Sequence, residues 1–235
     1  MRYRIVEQSP PVGGTSTIDS AASIIRRRIL DGVLGPGARL PEEQTSAELG
    51  VSRHTLRAAL RQLVSEGLLR HEPNRGVHVP VLTPADVSDV FRIRRMIELD
   101  AIEEIALVGN VPAGATSAVD DMEALGPSAG WHQVVEQDMR FHWALVEAAG
   151  SPRMVRTYAA IHAEIAYCLV QLRPHYDRPA QVAKEHRDLL AAIVARDGEL
   201  AVVRMRAHLF EAETTLLGAI PASTRNGERF PIWKE

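Results

Sequence analysis

Two groups of residues in this sequence have the types and the spacing to do chemistry. The first is Asp138 and His142 in DMRFHWALVEAAGS, with His186 and His208 further along the chain. Side chains four residues apart on a helix share a face, so this carboxylate and this imidazole would project together. If the other two imidazoles meet them inside a helical bundle, four oxygen and nitrogen donors form a shell for a divalent ion. Zinc comes first, with nickel and manganese as alternatives. The bland reading stands beside it: an Asp/His pair at this spacing is common, and spacing alone does not aim His186 and His208 at one point.

The second group lies in LGVSRHTLRAALRQLVSEGLLR, residues 49–70. Leu56, Leu60, Leu63 and Val64 recur at helical spacing, and Ser52 is a good N-cap for the helix they define. Its first turn gathers Ser52, Arg53, His54 and Thr55, with Arg57 one turn on. Hydroxyls, free backbone N–H groups and guanidinium forks at a helix N-terminus suit phosphate and base edges of DNA. An ordinary core helix with a solvated basic face has the same composition, so the neighbouring elements must decide.

Those neighbours are informative. A helix is expected from about Ile18 to Asp31, with Ile18, Ala22, Ile25 and Ile29 on one face and Gly32 ending it. A short helix from Pro41 to Leu49 follows, Pro41 suiting the first helical position, and then the tight Gly50-Val51 turn. After Leu69 come Arg70-His71, the turn Glu72-Pro73-Asn74-Arg75-Gly76, and Val77-His78-Val79, which spell a hairpin. Three helices and a hairpin in that order predict a winged helix-turn-helix over residues 17–82. Asn74, Arg75 and Gly76 stand at the wing tip, with Arg75 the charge for a neighbouring groove or backbone. Residues 1–16, rich in Pro and Gly, read as a flexible arm.

The remainder carries a helical period throughout. Helices are expected over 85–108, 116–125, 131–149, 152–173, 179–196 and 199–217, with Gly198 capping the fifth, and no strand pattern survives. The fold class is therefore mostly α: an N-terminal winged helix-turn-helix, then an antiparallel bundle of six or seven helices over 83–218, and a tail over 219–235 in which Phe230 and Trp233 could dock. Met96, Met139, Met154 and Met205 are expected as bundle filling, and Cys168 as a buried apolar residue.

Totals narrow the class. The chain has 235 residues and a net charge of −3, which argues against a uniformly basic nucleic-acid coat. The charge is uneven: residues 1–82 hold 11 Arg against 8 acids, and the rest holds 16 Lys and Arg against 22 acids. The single cysteine excludes an internal disulfide and any Cys-rich zinc module. With no signal peptide and no apolar run of spanning length, the expected location is the cytoplasm.

The front segment RLPEEQTSAELGVSRHTLRAALRQLVSEGLLRHEPNRGVHV resembles the N-terminal domain of GntR-type bacterial transcriptional regulators over about residues 17–82. That resemblance implies DNA contacts by Ser52, Arg53, His54, Arg57, Arg75 and Gly76. Gln44 departs from the pattern, since many relatives carry Arg there, so an operator cannot be carried over. The stretches DMRFHWALVEAAGS and EHRDLLAAIVARDGELAVVRMRAHL are similar to the FCD effector domain of one GntR branch, over about residues 85–217. Metal-binding members place an Asp, a His one turn later and two further His at positions matching Asp138, His142, His186 and His208. One carboxylate, three neutral imidazoles and a divalent ion sum to +1, which would draw a small organic acid into an open coordination position. Arg94 falls where relatives have an Arg. It is placed either to clamp that acid or to pair with Glu98 on the helix surface.

The expected function is a ligand-responsive transcriptional regulator, a repressor by preference and not an enzyme. It would act as a homodimer on a two-fold double-stranded operator, because one recognition helix spans too few base pairs. Two alternatives remain open. One is a metal-dependent hydrolase with Glu98, Glu136 or Glu185 as general base; the other is a regulator that senses the metal itself.

Overall fold

Side chains that cap backbone N–H groups set the limits of most helices. Ser16 accepts the Asp19 N–H at 3.1 Å and opens α1 (Thr17–Leu30). Pro41, placed just outside rather than inside the next helix, precedes α2 (Glu42–Leu49). Ser52 accepts the Thr55 N–H at 3.1 Å and opens α3 (Arg53–Ser65). Strands β1 (Arg70–Glu72) and β2 (Gly76–His78) pair antiparallel with Arg70 opposite His78 and Glu72 opposite Gly76. Arg39 bridges to the other edge of His78. A one-residue bridge has no period, so this addition to the wing was not legible in the sequence. The structure, a computed structural model, describes residues 16–73, 75–126, 129–171 and 179–220, and the side chain of Pro179 is also outside them. Asn74, His175, the arm before Ser16 and the tail with Phe230 and Trp233 lie outside the described residues.

Six further helices follow among the described residues: α4 (Pro84–Val108), α5 (Ala113–Glu123), α6 (Trp131–Ala148), α7 (Pro152–Val170), α8 (Pro179–Val194) and α9 (Gly198–Ala219). Thr83 and Asp86 form a reciprocal capping box at the start of α4, each side chain accepting the other's N–H. α5 starts three residues earlier than its apolar period suggested, because Pro112 sets the entry. Gly198 is not the cap of α8. Arg196 takes the left-handed conformation (φ 56°), and Asp197 accepts the Leu200 N–H at 2.9 Å to open α9. No described helix is long and apolar enough to cross a membrane.

The bundle buries Phe91, Phe141, Tyr158, Ile165 and Met205 around α4, which runs through its middle. Met139 and Cys168 are buried as expected; Met96 is not, with 67% of its surface exposed. It sits on the outward side of α4, where no neighbouring helix among the described residues covers it.

The two halves share a seam rather than a bare linker. Tyr167 of α7 lies in the apolar core of the winged domain beside Leu63, Leu68 and Leu69, and its hydroxyl donates to the Pro80 carbonyl at 2.6 Å. Arg70 of β1 reaches Asp86 of α4 at 2.8 Å. Gly67, in the left-handed region at φ 74°, lies so near α7 that a Cβ there would stand 2.3 Å from Cγ of Glu164. Gly67→Ala should therefore destabilise the protein by about 1–2 kcal/mol from backbone handedness alone. Urea melts check this. Adding Glu164→Ala should recover only the steric part, and a wild-type midpoint for the single variant would contradict the seam described.

Candidate metal centre and nucleic-acid face

One turn of α6 carries Asp138 and His142 inward, α8 brings His186, and α9 brings His208. Their donor atoms all lie within 4.8 Å of one another. The spacing of Asp138 and His142 guaranteed only the first pair. The packing of α8 and α9 against α6 supplies the rest.

The imidazoles are oriented from behind. His186 Nδ1 donates to the Val182 carbonyl one turn earlier, at 2.7 Å. His208 Nδ1 faces Glu185 Oε2 at 3.1 Å. His142 Nδ1 lies 2.7 Å from Glu98 Oε2, an ionic contact out of line for a hydrogen bond. With the protons assigned to Nδ1 by these neighbours, the three Nε2 lone pairs turn inward. His142 Nε2 and His208 Nε2 stand 3.3 Å apart, and His186 Nε2 is 3.1 Å from Asp138 Oδ1. Phe141 packs edge-on against the rings of His142 and His186, with centroids at 5.2 and 4.6 Å.

This donor set fits a divalent cation. The Nε2 atoms of His142 and His208 are close enough to share a proton, or to ligate one cation together once both are deprotonated. His186 Nε2 and Asp138 Oδ2 are buried without a hydrogen-bond partner, a costly condition that a bound ion removes. Bonds of about 2.0–2.1 Å in a tetrahedral shell separate neighbouring donors by about 3.3 Å, so small side-chain movements suffice.

The surrounding charges correct the +1 reckoned from the four ligands alone. Arg94 is not on the helix surface. It is fully buried and donates from Nε to Glu98 Oε1 at 2.7 Å. Tyr158 donates to the same oxygen at 3.0 Å. Burial pushes the Glu98 carboxyl up, but Arg94 and His142 outweigh it and hold it at about 2. Burial likewise raises Asp138, and His142 and His186 reverse this to well below the usual carboxylate range. Glu185, raised by burial, is brought below its ordinary value by His208, while burial pushes His208 down to about 4. Counting ionised Glu98 and Glu185 and the cation of Arg94, a divalent ion leaves the centre neutral. Arg94 also lines a cavity of about 30 Å³ with Trp131, Val134, Asp138, Leu169 and His208. That is room for roughly two waters.

Glu98 and Glu185 are the residues whose part the sequence did not convey. Both stood out only as possible bases or helix partners, and Tyr158 not at all. A Tyr sixty residues from its acceptor leaves no local trace.

The winged domain presents its expected residues differently. Arg53 and Arg57 on α3 are exposed and paired with Glu43 (3.0 Å) and Glu42 (2.6 Å) of α2. His54 is exposed beside them, and the Ser52 hydroxyl is engaged as the cap. Arg75 pairs with Glu72 at 3.2 Å. Gly76 adopts φ 77° with open space where a Cβ would stand, so the backbone there is free to approach a groove. Gln44 donates to Glu48 at 2.8 Å within α2.

A domain of this shape joined to such a helical bundle defines a DNA-binding regulator, and the comparisons agree. Residues 17–79 match the family of bacterial regulatory proteins named gntR, and residues 89–211 match the FCD domain. The chain belongs to the GntR family of transcriptional regulators, in the branch with an FCD domain; it is a regulator, not an enzyme. It is 28% identical over 203 residues to the HTH-type transcriptional regulator BphR of Paraburkholderia xenovorans (strain LB400), covering 83% of this chain and 82% of that one. It is 26% identical over 200 residues to the HTH-type transcriptional repressor RspR of Escherichia coli (strain K12), covering 80% and 83%. A GntR regulator structure from Rhodococcus sp. RHA1 superposes with a TM-score of 0.78 at 29% identity, over 87% of this chain and 99% of that one.

Glu98→Gln keeps the shape and removes the charge that compensates Arg94. Breaking a buried pair in this way costs about 3–5 kcal/mol. Denaturant melts at neutral pH should show a loss of that size; a change within about 0.5 kcal/mol, the range of surface substitutions, would mean that Glu98 does not neutralise Arg94.

Proposed function

We propose that this regulator is a repressor that binds a two-fold operator as a homodimer, and that a divalent metal centre in its helical domain sets its DNA affinity together with a small organic acid. Residues 17–82 are the reading unit and 83–218 the sensing unit. Asp138, His142, His186 and His208 would hold the metal, zinc before nickel or manganese. Ser52, Arg53, His54, Arg57, Arg75 and Gly76 would meet the DNA. The observation that carries the reading is the convergence of the four donors, with His186 and His208 held from behind by Val182 and Glu185 and His142 lying against Glu98. The ion would supply a Lewis-acid position for a carboxylate. The name of RspR, a repressor, supports the direction of control.

Helix α7 is the element that would carry the signal. At one point Tyr158 holds Glu98 behind His142; nine residues on, about 13–14 Å along the axis, Tyr167 lies in the winged domain's core. A shift in how His142 and Glu98 sit therefore reaches α7, and with it the reading unit. Reciprocal coupling of about 1–3 kcal/mol between operator and effector is the expected size.

The cavity also favours an acid of few atoms and one carboxylate. The centre is neutral once loaded, and Glu185 on the cavity wall repels further negative charge. So little room gives equal support to a second reading, in which the metal itself is the signal. Operator affinity titrated with zinc, with and without acetate, separates the two: an effect of acetate at saturating zinc supports the acid, and none supports the metal.

His208→Ala, chelated and reconstituted beside wild type, should fall from about one zinc per chain to a small fraction of that by elemental analysis. Unchanged stoichiometry would remove His208 from the centre. Arg53→Ala should weaken specific operator binding by about 1–3 kcal/mol if Arg53 reads a base; equal wild-type affinity for operator and random DNA would overturn specific recognition altogether.

A further inference from the structure

Helix α3 has no acid of its own. Its sequence, RHTLRAALRQLVS, turns Leu56, Ala59, Leu60 and Leu63 into the core. At about 100° per residue, Arg61 falls on the opposite side, between Arg57 and His54, with Arg53 at the edge of the same stripe. All four are exposed. Two acids of α2 face this stripe, and both are taken: Glu43 by Arg53 at 3.0 Å and Glu42 by Arg57 at 2.6 Å. Glu66, just beyond the helix, is held by Arg26 and Gln62. Arg61 makes no ion pair and no hydrogen bond among the described residues. Like charges one turn apart on a helix repel, so an unpaired Arg61 beside Arg57 is a cost that the fold leaves unrelieved. An anion from outside relieves it.

Position selects the anion. A recognition helix meets base edges with its N-terminal residues. Arg61 stands eight residues beyond Arg53, about 12 Å along the axis, whereas the major groove is about 8.5 Å deep. For a helix entering by its N-terminus, with Arg53 at the floor, Arg61 is carried out to the rim, where the sugar–phosphate backbone runs. We infer that Arg61 is a phosphate-binding residue: it holds the DNA backbone at the rim of the groove, adds affinity for any duplex and takes no part in choosing the sequence. This rests on the reading of α3 as the recognition helix and adds a contact to those named for DNA above. Two other described arginines of the winged domain lack an acid partner, and they lie elsewhere. Arg39 stands at the base of the wing, bridged to His78. Arg27 is on the side of α1 away from Ala21, Ala22, Ile25 and Ile29. Since α1 and α3 share one core, their outward sides point in opposite directions.

Anisotropy titration of the full-length chain with a labelled random-sequence duplex of about 25 base pairs, from about 50 to 200 mM NaCl, tests this without the operator. Each phosphate neutralised steepens the fall of log affinity with log salt by about 0.9. Arg61→Gln should therefore bind more weakly than wild type at low salt, with a slope shallower by about 0.9, so that its deficit shrinks about 3.5-fold across that range. Arg61→Lys keeps the charge and should keep the wild-type slope. Arg27→Gln, on the far side, should match wild type as well. Arg61 is exposed, and an unchanged circular-dichroism melt of Arg61→Gln excludes misfolding. A wild-type slope in Arg61→Gln, a lost slope in Arg61→Lys, or an equal loss in Arg27→Gln would each overturn the assignment. Wild type that fails to bind the random duplex at low salt would overturn the reading of α3 itself; wild type that binds, with Arg61→Gln unchanged in slope, refutes Arg61 alone.

Discussion

The buried ion pair between Arg94 and Glu98 is the constraint that the helical domain is built around. Moving two charges out of water costs several kcal/mol per ion, and such a pair persists only when every polar atom finds a partner. Here the partners come from three helices. Arg94 and Glu98 are one turn apart on α4, Tyr158 reaches in from α7, and His142 closes the set from α6. A rotation of any of these helices would strand a charge. The pair thus fixes the mutual setting of α4, α6 and α7, and the imidazole shell inherits that precision, because His142 is oriented by the carboxylate that Arg94 holds.

The reading unit is held in the opposite manner. Arg53, Arg57 and Arg75 pair with Glu43, Glu42 and Glu72 in solvent, and such exposed pairs contribute about 0–1 kcal/mol. Phosphates can displace them at little cost. Between the helical domain and the winged domain, Tyr167, Gly67 and the Arg70–Asp86 contact form a narrow seam.

The sequence conveyed whatever depends on local period and local chemistry. Helix α3, its Ser52 cap and the hairpin follow from spacings within a few residues, and so does the shared face of Asp138 and His142. The boundaries that shifted did so for local reasons as well: Pro112 starts α5 early, and Arg196 accepts a left-handed backbone that glycine was expected to supply. What stayed hidden depends on distance along the chain. Arg39 joins the wing by a single bridge, Tyr158 finds Glu98 across sixty positions, and Tyr167 belongs to the core of the other domain. The convergence of His186 and His208 was suggested by family resemblance, since periodicity tells which side of a helix is apolar but not what that side will face.

Met96 shows how such a limit becomes informative. A methionine at helical spacing reads as core, because the pattern cannot separate burial inside one chain from burial between two. The inward side of α4 is already committed to Phe91, Arg94 and Glu98, so Met96, at the same helical spacing, is left on the outward side. The buried charges of α4 hold the four donors on one side of that helix and leave its other side in solvent.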